Sequence, residues 1–489
     1  MLGNKGQRLQ LTFFYVPCCV QLKRNGSPSN CKGDNEESCV RRKIMPESWS
    51  ARRLFRKFIA AAYLAICAVA SSGAVSADMQ PVSALLSLLQ DGRLEDCRVY
   101  LRERQVSHPD ADSLYVSSIC ALRSNHPYQA RAQLTKLLAV RTDYPGAWFA
   151  KAQADFLIRD HAELEISRVA MLTSRLPPEQ RETAKAWLQS LNISETRQTI
   201  IWNAEVGAGS NSNANAGTVD SDYLGTAIPR TQKRTASDFY ESSFGLGMAK
   251  GQGIFSDLIG SIQISRRSNS SAPFVNQSLV SAAVTYRHPL RKWLAEYSIL
   301  GLDERIAGVP QRQFGALEFS IYKRASDFWE YAFIGRAGRL NYRVSDRPDL
   351  NVWRFLWSLN TTRLFGDSLK NRVGIGIFGG GDEEVIYRSS FGNSRFGVRV
   401  FGETEIGAHL KIGAEGAFST TSFDVHGGFS GISRLDGQLS VLATATWKAK
   451  PSSPWSIQAR LVHRNLDSNV SVFRFDQNSV GIFVKIRGK

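Results

Sequence analysis

The strongest constraint on the fold is a two-residue alternation of apolar and polar side chains from about Thr199 to the C-terminus. In residues 434–448, for example, Leu435 and Leu439 fall on one side of an extended strand, and Asp436 falls on the other. In a transmembrane antiparallel β-barrel, one face of each strand contacts lipid and the other lines a polar lumen, so sustained alternation of this kind is typical. We therefore predict an α + β-barrel protein, in which a helical module precedes the barrel.

About fourteen candidate strands follow one another in this region. They begin near Ile200, Phe239, Ile254, Asn276, Trp293, Phe314, Phe328, Asn351, Arg372, Ser394, Ala408, Leu435, Trp455 and Phe475. Most are long enough to cross an outer membrane at the tilt of a barrel, which takes about 9–11 residues. Residues 198–489 are therefore the predicted barrel.

The predicted connections between these strands alternate between long and short. The long, polar ones are 210–237, 269–273, 303–313, 341–350, 381–393, 420–433 and 466–473. The short ones are 250–253, 288–292, 324–327, 366–371, 403–407 and 449–454. Long external loops and short periplasmic turns are the outer-membrane pattern, so an even strand count leaves both ends of the barrel in the periplasm. A soluble all-β domain is the alternative, and it would need a core buried between two sheets.

The start of the chain resembles a secretory leader. A basic segment precedes an apolar stretch at 58–69, and Ala77 ends a run of small residues that suits a signal peptidase. We predict cleavage after Ala77, with 45–77 as the signal peptide and 1–44 as an over-extension of the start site. A short buried helix is the alternative for the apolar stretch.

The segment between leader and barrel, residues 78–197, is predicted to be a periplasmic helical domain. His126-Pro127 and Asp160-His161 start equivalent second helices about 34 residues apart, which is the tetratricopeptide period. Helical hairpins at that spacing stack on one another because each leaves an apolar face that only a neighbour can cover. An irregular helical bundle is the alternative.

Sequence motifs for catalysis are absent: there is no Gly-x-Ser-x-Gly, no His-Glu-x-x-His and no phosphate-binding glycine-rich loop. The histidines are scattered singly, without the spacing of metal ligands. We therefore predict no enzyme activity and no cofactor. Cys97 and Cys120 are the two cysteines that follow the leader, and in an oxidising compartment they either form a disulfide or stay separate buried thiols.

Charge points to the lumen and not to nucleic acid. The formal net charge of +17 falls to +9 without residues 1–77, which hold 12 Lys and Arg and 4 Asp and Glu. That charge is spread over loops and predicted lumen positions, so we predict no nucleic-acid partner. Several arginines fall on the polar face of predicted strands and are predicted to line the lumen: Arg336, Arg395, Arg399, Arg460 and Arg464.

Two short elements carry a resemblance to a known family. The first closes the first strand and reads Asn211-Ser212-Asn213-Ala214-Asn215, and the second is Ser468-Asn469 before the last strand. Together with the helical module, they resemble the surface lipoprotein assembly modulator family. In that family the first strand closes in Asp-Ser-Asn-x-Asn, and the last external loop holds a Ser-Asn element. Asn211 here replaces the aspartate.

The last strand also resembles the signal that the barrel-assembly machinery reads. The polar, glycine and paired apolar positions of that signal are Ser479, Gly481, Val484 and Ile486. The usual terminal aromatic residue is missing, because the chain ends in Arg487-Gly488-Lys489.

The family resemblance implies a function. It places the chain in the Gram-negative outer membrane, where it would move lipoproteins, or related secreted haem-acquisition proteins, to the cell surface. The implied partners are a client lipoprotein or haem-binding protein, outer-membrane lipid and the barrel-assembly machinery. A polysaccharide-export or general porin-type channel is the alternative.

Overall fold

The computed structural model contains a helical module followed by a closed β-barrel. It describes residues 110–173, 182–189 and 198–488, except for 219, 221, 224–225, 252–255, 291–292, 344–349, 367–368, 386–391 and 424–432. The start-site extension, the signal peptide with its cleavage after Ala77, and Cys97 lie outside the described residues.

Five helices form the described part of the module. They are α1 (Ala111–Arg123), α2 (Pro127–Val140), α3 (Ala147–Ile158), α4 (His161–Thr173) and α5 (182–189). The second helix of each hairpin begins where the sequence predicted, at Pro127 and His161, and the tetratricopeptide assignment of these hairpins stays a prediction. Within the described chain, no helix combines the length and apolar character that crossing a membrane requires.

Small and branched apolar side chains hold the module together. Leu134 and Leu137 of α2 pack against Ala147 and Ala150 of α3 in one buried cluster. Alanine at the helix contacts lets the backbones approach closely, and leucine fills the remaining space. Cys120 of α1 is fully buried and takes part in a disulfide, while its predicted pairing with Cys97 stays a prediction.

Fourteen antiparallel strands of 13 to 16 residues close into a barrel, which confirms the predicted fold class. They are β1 (Gln198–Asn211), β2 (Ser237–Gly251), β3 (Asp257–Asn269), β4 (Gln277–Leu290), β5 (Trp293–Ile306), β6 (Val309–Arg324), β7 (Trp329–Tyr342), β8 (Val352–Phe365), β9 (Asn371–Glu384), β10 (Asn393–Ile406), β11 (Leu410–Phe423), β12 (Leu435–Trp447), β13 (Trp455–Ser468) and β14 (Phe475–Gly488). Each strand pairs with its sequence neighbours, and β1 pairs with β14. This last pairing, called the seam below, satisfies the edges that an open sheet would leave unpaired.

The connections define two ends of the barrel. The loop end carries the longer connections, such as 212–236 and 469–474, whereas the turn end carries the short ones together with Gln198 and Gly488. One prediction is wrong: the loop expected at 303–313 is strand almost throughout. β5 and β6 are joined at the loop end by Ala307 and Gly308 alone, with φ angles of 51° and 82°. Two consecutive positive φ angles are the backbone of a tight hairpin turn whose twist matches that of its strands.

Contacts between non-adjacent strands show which side chains face inward. Arg460 of β13 bonds to Glu205 of β1, and Arg399 of β10 bonds to Asn360 of β8, each across an intervening strand. Side chains converge in this way on the concave face of a closed sheet. The polar half of each alternation therefore lines the lumen, as predicted.

The outward positions carry an apolar band with aromatic residues near the turn end. Ile299, Leu317 and Ile482 are each more than three-fifths exposed in mid-barrel. Tryptophans mark the turn ends of four strands with their side chains exposed: Trp293, Trp329, Trp447 and Trp455. An apolar belt edged by aromatic rings is the exterior that a lipid bilayer requires of a barrel.

Candidate functional site

The first family-like element lies at the loop end of the seam, where the backbone pairing of β1 and β14 stops. That pairing runs from Trp202 opposite Gly488 to Asn211 opposite Ser479. Beyond it, the Ser212 amide donates to the Asn478 carbonyl at 2.8 Å, and the Asn478 amide donates to Ser212 Oγ at 2.9 Å. The element therefore extends the seam by one further rung.

Asn213 is the centre of this element and is fully buried. Its Nδ2 donates to the carbonyls of Gly217 at 2.9 Å and of Asp476 at 3.1 Å, and its Oδ1 accepts from the Gly217 amide at 2.9 Å. Gln477 Nε2 donates back to the Asn213 carbonyl at 2.6 Å. One amide side chain thus joins the loop after β1 to the start of β14, and both of its polar atoms are satisfied.

The neighbouring asparagines stabilise the same loop. Asn211 Oδ1 accepts from the Asn213 amide at 2.9 Å, which is the local turn that an aspartate at this position would also form. Asn215 Nδ2 donates to the carbonyls of Thr231 and Lys233, and Asn215 Oδ1 accepts from the Thr235 amide. The side chains of the element are therefore engaged within the chain, where they order the first loop.

The second element, Ser468-Asn469, connects two other loops at the same end. Ser468 is buried, and its Oγ accepts from the Val470 amide at 3.2 Å. Asn469 Oδ1 accepts from the Leu435 amide at 2.8 Å, and Asn469 Nδ2 donates to the Ser433 carbonyl at 2.8 Å. The start of β12 and the end of β13 are thereby held side by side.

Arg434 reinforces this junction, and no sequence pattern predicted its role. Its guanidinium carbon lies 4.2 Å from the ring centre of Phe423 and 3.6 Å from that of Phe473, and its Nε donates to Asp436 at 2.9 Å. The cation is thus held between two aromatic rings, one at the end of β11 and one in the loop before β14. Both family-like elements and this arginine order the loop end on the same side of the barrel.

The four positions of the predicted assembly signal lie on both faces of β14. Ser479 and Gly481 face the lumen, and Val484 and Ile486 face outward. Gly481 is required by close packing, because a Cβ there would lie 2.9 Å from a ring carbon of Phe483. Paired apolar residues suit the outer face of a strand that contacts lipid. The use of these four positions as an assembly signal stays a prediction.

All five predicted lumen arginines occupy inward positions, and three of them illustrate how their side chains bond to other strands of the wall. Arg336 Nε donates to Glu318 at 2.9 Å, and Arg460 Nη2 donates to Glu205 at 2.9 Å. Arg399 is 5% exposed and donates to Asn360 Oδ1, with Gly376 leaving room between them. The remaining two, Arg395 and Arg464, lie nearer the loop end. Ion pairs across the inner wall let a crowded interior carry these charges without isolating them.

The turn end carries a contact that sequence reasoning missed. Asp327, in the turn between β6 and β7, accepts from the Tyr128 amide at 3.0 Å through Oδ1 and from the Gln129 amide at 3.1 Å through Oδ2. These amides belong to the first turn of α2, whose own N-cap residue, His126, makes no side-chain capping bond. A carboxylate at a helix N-terminus is favourable because it satisfies free amides and faces the positive end of the helix dipole. The barrel therefore supplies the cap that α2 lacks.

Two further contacts accompany this cap. The Tyr128 hydroxyl donates to the Arg324 carbonyl, and the His126 ring lies 5.7 Å from that of Phe328. Burial raises the pKa of the Tyr128 hydroxyl, so it is a donor at neutral pH. The only local sign of the contact is the combination of Pro127 at the start of α2 with a residue before it that does not cap.

Arg159 directly follows α3, and its charge interacts with charged residues at the rim of the barrel. Burial and the nearby Arg287 lower its pKa, whereas Asp257, Glu296 and Glu330 oppose that shift. These four residues lie on β3, β4, β5 and β7 near the turn end. The module thus places a cation among charges at the mouth of the lumen.

Metal-binding groups do not come together within the described part of the chain. No set of three or more His, Cys, Asp or Glu residues among the described residues has a geometry that could hold a metal ion. Lys151, Asp155 and Ser167 do form a hydrogen-bonded cluster, but it is buried between α3 and α4 and crosslinks the module.

The strand topology and the apolar exterior define the class: this is a β-barrel of the outer-membrane type, with a helical module docked at its turn end.

No family model and no curated protein matches the chain. Its fold is similar to that of solved outer-membrane barrels. OmpT of Vibrio cholerae, in its trimer form, matches with a TM-score of 0.37 and 8% identity over 60% of this chain and 99% of that one. The anion-selective porin of Comamonas acidovorans has a TM-score of 0.35 and 8% identity over 60% and 100%. The outer membrane channel DcaP of Acinetobacter baumannii has a TM-score of 0.33 and 10% identity over 60% and 97%. The barrel assignment rests on the strand pairing and not on these likenesses.

Proposed function

We propose that this protein is an outer-membrane translocation factor that moves a lipoprotein, or a related haem-acquisition protein, to the bacterial cell surface. The loop end faces the outside of the cell, and the turn end with the helical module faces the periplasm. The protein works by binding and guiding its client, without catalysis and without a cofactor.

The observation that carries this proposal is the docking of the module on the mouth of the barrel. Asp327 caps α2, and the charge of Arg159 interacts at longer range with those of Asp257 and Glu296 at the rim. A module held at the mouth is positioned to deliver what it binds into the lumen. A free-standing domain on a flexible linker would not hold its client near the lumen.

The contact also suggests how delivery is coupled to passage. In this proposal, client binding displaces the Asp327 cap together with the Tyr128 and His126 contacts that accompany it. A client that binds the undocked state more tightly than the docked state would shift the module toward undocking. The difference between the two binding free energies sets the size of that shift. This is a binding mechanism, and it needs no chemical step.

The family-like elements support the same proposal in a different way. Asn213 and Asn469 order the loop end through bonds within the chain, so the barrel stays closed there while the module moves at the other end. A general porin-type channel would not need a docked helical module. A polysaccharide-export channel would retain its module but would have a glycan as its cargo.

The decisive experiment measures exposure of a client on intact cells. A lipoprotein or haem-binding protein encoded beside this chain is expressed with the full protein, without it, or with Asp327→Ala, and external protease is added. The proposal predicts that the client is cleaved with the full protein, is protected without it and is cleaved less with Asp327→Ala.

A matched control is Asp303→Asn, which alters a carboxylate that accepts from Gln313 on β6, away from the docking turn. Client exposure should be unchanged in this variant. Equal cleavage of the client with and without the protein would refute the proposal. Loss of a surface polysaccharide on deletion, with client exposure unchanged, would support the export alternative instead.

A further inference from the structure

Near the seam, two phenylalanine rings, of Phe239 and Phe483, pack on the inner wall against glycine residues of β1. A Cβ at Gly207 would lie 2.2 Å from a ring carbon of Phe483, and one at Gly209 would lie 2.7 Å from a ring carbon of Phe239. Both rings are almost fully buried, at 1% and 2% exposure. Glycine is needed at these positions because any larger residue would displace the rings toward the lumen.

A guanidinium lies on each ring. The Arg267 guanidinium carbon is 3.7 Å from the centre of the Phe239 ring, and that of Arg460 is 4.1 Å from the centre of the Phe483 ring. Stacking on an aromatic face fixes the plane of a guanidinium and leaves its N–H edges free to bind. We call this arrangement of Phe239, Phe483, Arg267 and Arg460 the arginine shelf.

Carboxylates in contact with the shelf are shared among its cations. Glu205 forms ion pairs with Arg460, at 2.9 Å from Nη2 to Oε1, and with Lys485, at 2.7 Å from Nζ to Oε2. Glu241 lies 3.8 Å from Arg267 Nη1 and 3.7 Å from Arg460 Nη1, which is ion-pair distance without a hydrogen bond. Positive charge at the shelf therefore exceeds what these two carboxylates neutralise.

Two observations indicate where the excess charge is concentrated. Arg267 Nη2 is buried and has no hydrogen-bond partner among the described residues. Arg464 lies close enough to Arg267 for the two like charges to repel. A buried, unsatisfied donor beside a second cation is unfavourable unless an acceptor with negative charge fills the space.

We infer that the arginine shelf, together with Arg464, is a binding site for an oxyanion, a phosphate or carboxylate group on a ligand in the lumen. Guanidinium groups recognise such groups because their paired N–H donors match two oxygens of a planar or tetrahedral anion. The ligand would accept from Arg267 Nη2 and relieve the repulsion from Arg464. The site extends from the middle of the barrel wall toward the loop end, and it is independent of the proposed transport function.

The test is calorimetric titration of the purified full chain, folded in detergent, with inorganic phosphate and separately with tri-glutamate. Binding of phosphate and not tri-glutamate identifies a phosphate-bearing ligand, and the reverse identifies a carboxylate-bearing one. The expected result is saturable binding of at least one probe that Arg267→Gln weakens about tenfold or more. Heat-modifiable gel migration checks that each variant is folded, and Arg464→Gln provides the same test if Arg267→Gln does not fold.

The matched control is Arg336→Gln, which removes a lumen arginine paired with Glu318 on the far wall. Its affinity for either probe should equal that of the unaltered protein. Absence of saturable binding of both probes would overturn the inference. Equal weakening by Arg336→Gln and Arg267→Gln would also overturn it, because it would show that the lumen attracts anions by its overall field.

Discussion

Replacing Asp327 with alanine tests whether the barrel caps α2. Asp327 is 5% exposed, and its two carboxylate oxygens accept from the amides of Tyr128 and Gln129 at 3.0 and 3.1 Å. The N-cap residue of α2 itself, His126, makes no side-chain capping bond that could replace it. The substitution therefore removes both bonds at once and leaves the barrel strands intact.

The magnitude of the effect follows from the kind of bond that is lost. A hydrogen bond to a charged group contributes about 1.5–3 kcal/mol, and loss of a helix N-cap costs about 0.5–2 kcal/mol. Water replaces part of what is lost once the first turn of α2 is released, so the two bonds do not add fully. We expect docking to weaken by about 2 kcal/mol, which corresponds to about a 30-fold change in an equilibrium constant.

Hydrogen exchange of the folded protein in detergent provides the measurement. Amides in the first turn of α2, at Tyr128 and Gln129, should exchange about 30-fold faster in Asp327→Ala, because exchange follows the free energy of local opening. Amides of β6 and β7 should keep their protection, and Asp303→Asn should change neither region. Unchanged exchange in α2, or faster exchange throughout the barrel, would refute the reasoning.

Three further predictions follow from other parts of the molecule. Asn213→Ala should lower the free energy of unfolding by about 1–3 kcal/mol in denaturant titrations, because it leaves buried partners at Gly217 and Asp476 unsatisfied; no loss would contradict its place at the seam. Phe483→Ala should cost about 3 kcal/mol by the same measurement, whereas Ile482→Ala, at an outward position next to it, should cost less, and equal costs would count against the inward packing. Burial and the hydrogen bond to Asp112 raise the pKa of Tyr144 above its unfolded value of 10.0, so the stability that it contributes is present below pH 10.0 and lost as pH rises through the raised pKa. The difference in module stability between the unaltered protein and Tyr144→Phe, followed by circular dichroism, should therefore be constant below pH 10.0 and shrink above it, and a pH-independent difference would contradict the assignment.

The barrel could be predicted because its alternation has a simple physical cause. Lipid outside favours apolar side chains and water inside favours polar ones. Successive residues therefore alternate in polarity, and this alternation identifies each strand in the sequence. That pattern failed at 303–313, where polar residues suggested a loop. These residues extend the strands beyond the apolar band and pair with each other instead: Arg312 binds Glu304, and Gln313 binds Asp303 at 3.1 Å. Outside lipid, cross-strand polar pairs stabilise a strand without alternation.

The site was only partly predictable from sequence. The resemblance identified Asn213 and Asn469 as positions of interest, but their partners lie far along the chain, at Asp476 and at Leu435. Only closure of the barrel brings those partners together. Asp327 gave no signal at all, because a carboxylate in a turn is usually solvated. Asp327 acts as a cap only because the folded chain places the first turn of α2 against it.

The two ends of the barrel are stabilised at well-separated places, and this separation bears on the proposed transport function. Asn213 acts at the seam between β1 and β14, whereas Asp327 acts in the turn between β6 and β7, nearly half-way round the barrel and at its opposite end. Interactions so far apart, with no shared partners, contribute independently to stability. Loss of the Asp327 cap should therefore leave the seam as stable as before, so the proposed release of the module at the mouth would not require opening of the wall. A client that moved through this protein would meet a docked helical module at one end and, at the other, a seam whose closure does not depend on that module.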